Sequence, residues 1–101
     1  MTVKNNSTVG ITGSNISGSA TTITSANNET GIKDGSIGGG KTIKVESNVT
    51  GINGTAITGG NITTNNNTDT GIKDSTINLS SGKIVGDNNN YGIKNSTIKA
   101  G

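Results

Sequence analysis

Isoleucine and valine recur along the chain between polar residues, in a pattern that repeats about every 20 residues. The clearest copy spans residues 70–77, with the sequence Thr-Gly-Ile-Lys-Asp-Ser-Thr-Ile, and related copies begin at Val9, Thr30, Thr50 and Tyr91. The glycine at the second position of each copy lies at residues 10, 31, 51, 71 and 92, so that the spacings are 21, 20, 20 and 21. A fixed period of this length is typical of a protein built from stacked structural repeats.

Each repeat carries three regularly placed apolar positions. In the second repeat they are Ile32, Ile37 and Ile43, with Val45 beyond. The corresponding residues of the other repeats are Ile11, Ile16 and Ile23; Ile52, Ile57 and Ile62; and Ile72, Ile77 and Ile84. Polar residues alternate with them, which predicts short β-strands with one buried face. Isoleucine and valine also favour strands, and no window shows the 3.6-residue period of a helix.

Two kinds of turn separate these apolar positions. A glycine-rich segment follows the second isoleucine, at residues 18–20, 38–40, 59–60 and 80–82. An asparagine-rich segment follows the third, at residues 27–28, 47–48, 65–67 and 88–90. Both residue types tolerate the positive φ that tight corners require. We expect the asparagines to stack on one another in successive coils.

The strands and turns together predict an all-β fold, a single-stranded parallel β-helix or β-solenoid of about five triangular coils of 20–21 residues. One coil alone can neither bury its isoleucines nor pair its backbone, whereas coils stacked about 4.8 Å apart do both. The apolar spacings do not fit the six-residue period of left-handed solenoids, so that we expect a right-handed coil. The whole chain, residues 1–101, is predicted to be one domain, with coils starting near residues 9, 30, 50 and 70.

The two ends of the repeat array are predicted to be complementary. Residues 91–101 form one half-coil and residues 1–8 another, and together they number 11 + 8 = 19 residues, close to one full coil. We expect Val3 to occupy the column of Ile43 and Ile62. The predicted end-to-end interface consists of Val3, Ile11, Ile16, Tyr91, Ile93 and Ile98. Chains could therefore stack head to tail, although any segment cut from a longer solenoid would also have complementary ends.

Composition limits the chemistry that the chain can perform. Only 26% of the residues are hydrophobic and there is no Cys or His, which leaves no thiol nucleophile, no disulfide and no histidine base. No nucleophile–base pair is recognisable, so that we expect neither an enzyme nor a cofactor or metal. The net charge is +2 without arginine, which is weak support for nucleic-acid binding. No signal peptide or membrane-length apolar run is recognisable.

Two motifs that suggest ligand binding are better explained as turns. Residues 35–42 match the phosphate-binding pattern G-x-x-x-x-G-K-[ST], but that loop must open a helix, and the residues that follow alternate like a strand. Asp34 and Asp74 share a column two coils apart, about 10 Å. One calcium ion cannot bridge that distance, so that we interpret these aspartates as solvated turn residues beside Lys33 and Lys73.

Two surface interpretations remain as minor alternatives. Asn-x-Ser/Thr sequons are frequent and could accept glycans in an exported protein, although a chain rich in these residues produces sequons by chance. A flat threonine array beside the third strand would suggest ice binding. Its candidate pairs are Thr22 and Thr24, Thr42 and Lys44, Asn61 and Thr63, and Lys83 and Val85, so that lysine interrupts the array.

The repeated phrase Gly-Ile-Lys-Asp/Asn-Ser-Thr-Ile, with Ser, Thr, Asn and Gly elsewhere, resembles the β-helix repeats of bacterial surface adhesins. These are the autotransporter passengers and the filamentous-haemagglutinin-like stalks. The resemblance covers the whole chain and implies a non-enzymatic, extracellular or cell-surface role, either as a self-stacking fibre or as a monomeric segment that binds host glycan or protein along a Lys/Thr face. The chain is also similar to self-templating solenoid fibrils with coils of about 20 residues, which favours the chain itself as the partner.

Overall fold

The computed structural model describes residues 2–6, 8–13, 15–16, 22–38, 42–58, 60–79 and 82–100. These residues form fifteen short β-strands and no helix. The strands are β1 (Thr2–Lys4), β2 (Val9–Thr12), β3 (Asn15–Ile16), β4 (Thr22–Ala26), β5 (Thr30–Lys33), β6 (Ser36–Ile37), β7 (Thr42–Glu46), β8 (Thr50–Asn53), β9 (Ala56–Thr58), β10 (Asn61–Asn65), β11 (Thr70–Lys73), β12 (Thr76–Leu79), β13 (Ile84–Val85), β14 (Tyr91–Lys94) and β15 (Thr97–Ala100).

The strands assemble into three parallel sheets of five strands each. The first sheet has the order β1-β4-β7-β10-β13, the second β2-β5-β8-β11-β14, and the third β3-β6-β9-β12-β15. Each strand from β1 to β12 therefore pairs with the strand three places further along the chain, which means that the backbone winds in coils and each coil lies on the previous one. This arrangement confirms the predicted parallel β-solenoid. The right-handedness of the coil stays a prediction.

Isoleucine ladders along the axis form the core, as the repeat predicted. Identical residues pair across neighbouring coils, for example Ile32 with Ile52 in the second sheet and Ile57 with Ile77 in the third. The three ladders are Ile11-Ile32-Ile52-Ile72-Ile93, Ile16-Ile37-Ile57-Ile77-Ile98 and Ile23-Ile43-Ile62-Ile84. A chain with 26% hydrophobic residues can bury a continuous core because these side chains point inward.

Val3 occupies a different column from the one that the sequence predicted. It pairs with Ser25, which in turn pairs with Val45, so that Val3 belongs to the column of Val45 and not to that of Ile43 and Ile62. The physical reason lies in the following corner, where Asn6 is hydrogen-bonded to Asn28. Val3 precedes its asparagine by three residues, as Val45 does, and this alignment sets the register of β1.

Two of the three corners are columns of residues in the left-handed region. The first corner, between the first and second sheets, has φ of 57–62° at Asn5, Asn27, Ser47, Asn66 and Asn88. The second corner, between the second and third sheets, has φ of 49–63° at Gly13, Asp34, Gly54, Asp74 and Asn95. The backbone N–H of such a residue donates to a carbonyl in the next coil, as from Asp34 to Asn53 at 2.9 Å. The aspartates are therefore exposed turn residues, as predicted.

The third corner joins the third sheet to the first and contains the glycine-rich segments. Gly60 and Gly82 have φ of 97° and 107°, in agreement with the predicted need for positive φ. Residues 18–20, 39–40, 59 and 80–81 of these segments lie outside the described residues. Residues 39–41 of the phosphate-loop motif also lie outside them, but the motif ends at Thr42, the first residue of β7, where a phosphate-binding loop would open a helix. The strand supports the turn interpretation of this motif.

Candidate assembly interface

The two ends of the solenoid expose strand edges. Within the described part of the chain, β1, β2 and β3 at the N-terminal end each have a neighbour on one side only, and so do β13, β14 and β15 at the C-terminal end. Each of the three sheets therefore begins and ends with an open edge. Open edges in parallel sheets present unpaired N–H and C=O groups that can pair with further strands.

The two ends of the solenoid also carry complementary parts of a coil. Strand β1 precedes the first full coil, which consists of β2, β3 and β4, and extends the first sheet by one strand. Strands β14 and β15 follow the last full coil and extend the second and third sheets by one strand. Among the described residues, the C-terminal part-coil has no strand in the first sheet, and β1 is a strand of that sheet.

The six residues predicted to form the interface lie at these two ends. Ile93 and Ile98 are 48% and 38% exposed, whereas Ile72 and Ile77, one coil below, are fully buried. Tyr91 is 49% exposed, and the ammonium group of Lys94 lies 4.9 Å from the centre of its ring. The remaining three residues are at the other end, where Ile11 is buried and Val3 and Ile16 pack partly buried against the core. Contact between the two groups stays a prediction.

An asparagine ladder runs along the first corner and has a direction. The backbone N–H of each asparagine donates to Oδ1 of the asparagine in the next coil toward the C-terminus. The members in order are Asn6, Asn28, Asn48, Asn67 and Asn89, with N–Oδ1 distances of 2.9, 2.8, 3.1 and 3.0 Å. Three of the side-chain amides also donate to the next Oδ1, at 3.0, 3.3 and 2.9 Å. The structure confirms the predicted asparagine stacking.

The ladder leaves matching groups open at its two ends. Among the described residues, nothing donates to Oδ1 of Asn6, and the backbone N–H of Asn89 has no acceptor. The N-terminal end thus presents an acceptor and the C-terminal end a donor. Sequence reasoning identified the asparagine column but missed this polarity, because composition does not show which group donates.

A second ladder, made of hydroxyl groups, follows the left-handed residue of the second corner. The backbone N–H of Thr55 donates to Oγ of Ser75 at 3.2 Å, and that of Ser75 donates to Oγ of Ser96 at 3.1 Å. Each hydroxyl donates in turn to the carbonyl two residues before it, as from Ser75 to Lys73 at 2.8 Å. Sequence reasoning missed this ladder, although the Ser or Thr that recurs directly after Gly54, Asp74 and Asn95 was its signal. It has the same direction as the asparagine ladder.

Neighbouring coils approach each other so closely at the repeated glycine column that a β-carbon would not fit there. A β-carbon at Gly10 would lie 2.9 Å from the carbonyl oxygen of Gly31, and one at Gly51 would lie 2.5 Å from that of Gly71. A β-carbon at Gly71 would lie 2.7 Å from the carbonyl oxygen of Gly92. Gly92 is different, because a β-carbon there would meet nothing within 4 Å. The C-terminal end therefore carries the same glycine as the interior, without the neighbour that makes glycine necessary.

The outer face of the first sheet carries the threonine array in the predicted register. Thr22 pairs with Thr42 and then Asn61, while Thr24 pairs with Lys44 and then Thr63. Lys44 is in an ion pair with Glu46 at 3.5 Å. Lysine therefore interrupts this face in the structure as in the sequence. Within the described parts of the chain there is no pocket, no group of three potential metal ligands and no helix able to cross a membrane.

Comparison of the chain with models of protein families, with curated proteins and with solved structures finds no match. The β-solenoid fold therefore rests on the geometry described above. The adhesin-type resemblance of the repeats stays a prediction.

Proposed function

We propose that this chain is a structural protein whose copies stack head to tail, through their solenoid ends, into a filament or surface stalk. The observation that carries the proposal is the complementarity of the two ends. One end extends the first sheet by β1, and the other extends the second and third sheets by β14 and β15. Stacking a second copy would give each of these strands the neighbour that it lacks.

The physical driving force for stacking has two parts. The first is backbone pairing across three sheet edges, of the same kind that joins the coils within the chain. The second is burial of Ile93 and Ile98, whose side chains are 48% and 38% exposed. Covering the exposed part of each contributes about 1 kcal/mol. Uncapped solenoid ends generally recruit further strands or require polar caps to stay soluble.

The test begins with negative-stain electron microscopy and analytical ultracentrifugation of the purified chain at two or more concentrations. We expect thin, unbranched fibres above a threshold concentration. The variant Gly92→Val should remove them, because its side chain has free space in the single chain but would meet the backbone of the incoming copy. Circular dichroism should show that this variant keeps its β-structure.

The matched control is Gly38→Val, since a β-carbon at Gly38 also meets nothing within 4 Å and Gly38 lies away from the ends. We expect Gly38→Val to assemble like the unaltered chain. Monodisperse particles at every concentration, or fibres of unaltered length from Gly92→Val, would contradict the proposal. The first outcome would favour the alternative that the chain is a monomeric adhesin segment, to be tested by glycan and protein binding along its Lys/Thr face.

A location outside the cell or at its surface is part of the proposal. It is supported by the resemblance of the repeats to adhesin stalks. Immunogold labelling of intact cells with antibody to the chain tests it, and labelling only after the cells are opened would exclude a surface role.

A further inference from the structure

We infer that the head-to-tail junction has a single register, in which Asn89 of one copy donates its backbone N–H to Oδ1 of Asn6 in the next copy. This inference rests on the proposed function, because it describes the contact between stacked chains. It goes further by specifying which residues select the partner, its orientation and its alignment.

The polarity of the asparagine ladder favours this register. Every step inside the chain places a backbone donor below the Oδ1 of the next coil, at 2.8–3.1 Å. At the junction, the open donor of Asn89 and the open acceptor of Asn6 repeat this arrangement. Two N-terminal ends would instead bring two acceptors together and would make the strands antiparallel, so that the ladder disfavours head-to-head contact.

The glycine column favours the same register. In the same register Gly92 would lie against the carbonyl of Gly10 in the next copy. Gly71 lies against the carbonyl of Gly92 in the same way, and a β-carbon added at Gly71 would be 2.7 Å from that oxygen. A slip of two residues preserves the alternation of inward and outward side chains. It would nevertheless place Thr8 or Thr12 opposite Gly92 and separate Asn89 from Asn6. Both columns therefore select the same alignment.

The inferred register also places β13 of one copy beside β1 of the next. The outward column of the first sheet runs Thr2, Thr24, Lys44, Thr63 and Val85. If the column continues across the junction, Val85 of one copy lies beside Thr2 of the next. Their Cα atoms would be about 4.8 Å apart, the spacing of neighbouring strands. That distance lies within the range that a disulfide can bridge.

Disulfide trapping tests the inference directly, because the chain contains no cysteine. The double variant Thr2→Cys/Val85→Cys, assembled and then mildly oxidised, should give a ladder of covalent dimers, trimers and longer chains on a non-reducing gel. Each single variant should give almost none, since equivalent residues of stacked copies are about five strand spacings apart. A mixture of the two single variants should stop at covalent dimers.

The control pair is Thr2→Cys/Lys83→Cys, in which the second cysteine lies on the same face but two residues further back. Its Cα atoms would be about 8 Å apart in the inferred register, beyond the reach of a disulfide. Equal cross-linking of this pair, or cross-linking of a single variant with itself, would overturn the inference.

Electron microscopy of the same samples distinguishes failure of the inferred register from failure of the proposed function. Filaments of the Thr2→Cys/Val85→Cys variant that do not cross-link would refute the register alone, whereas the absence of filaments would refute the proposed function as well.

Discussion

At the scale of single residues, one inward column of the first sheet, beside the repeated glycines, holds both polar and apolar side chains. Ser25, Val45 and Thr64 pair in register and are all buried. The hydroxyl of Ser25 donates to the carbonyl of Gly31 at 2.9 Å and accepts from the amide of Asn28 at 3.0 Å. The hydroxyl of Thr64 is equally buried, yet has no hydrogen-bond partner among the described residues. A buried hydroxyl without a partner destabilises the folded state.

Thr64→Val should therefore increase the free energy of unfolding by about 1 kcal/mol. Valine has the same shape, removes the unpaired hydroxyl and already occupies this column at Val45. Urea denaturation below the assembly threshold measures the change. Ser25→Val is the contrasting variant, because it removes two hydrogen bonds and should lower stability. A loss of stability in Thr64→Val would show that its hydroxyl has a partner after all.

At the scale of secondary-structure elements, the corners determine where each strand stops. The first and second corners hold eight residues other than glycine with positive φ, of which five are Asn, two are Asp and one is Ser. Asn and Asp adopt this conformation more readily than other residues, because their short polar side chains can hydrogen-bond locally. The strands of the three sheets span only 2–5 residues, so that every coil depends on its corners as well as on its isoleucines.

Asn66→Ala should lower the free energy of unfolding by about 1 kcal/mol, since alanine must adopt a left-handed conformation at φ of 57°. Asn66→Gly should stay close to the unaltered chain, because glycine adopts positive φ without a steric cost. Thermal unfolding followed by circular dichroism measures both. Asn78→Ala, an exposed position within β12, is the control and should have little effect. Equal effects of Asn66→Ala and Asn66→Gly would argue against a conformational origin.

At the scale of the whole molecule, each chain contributes five strands to each of the three sheets. The proposed head-to-tail stacking would add five layers per copy without a gap, because β1 would complete the coil that β14 and β15 begin. Five layers of about 4.8 Å correspond to an axial repeat of about 24 Å. The filament would then be one continuous solenoid whose ladders cross every junction.

Fibre diffraction or helical reconstruction of the filaments should accordingly show a strong spacing of about 4.8 Å along the axis and a subunit repeat of about 24 Å. The first spacing follows from parallel strand pairing along the axis, and the second follows from five layers of strands in each copy. Filaments of the Thr64→Val variant should have the same repeat and serve as the control. A subunit repeat that is not a multiple of the strand spacing would contradict continuous pairing across the junction.

The coil, its three isoleucine ladders and the left-handed asparagine corner could be predicted from the sequence, because each depends on local spacing and on residue chemistry. It also placed the six candidate interface residues at the ends, since the period shows which copies are first and last. The column of Val3, the direction of the asparagine ladder and the contact that requires glycine in its column became clear only from the folded chain. These depend on which residues of neighbouring coils lie side by side. A period-2 pattern leaves that alignment ambiguous by two residues, and the hydrogen bonds of Asn6 with Asn28 resolve it.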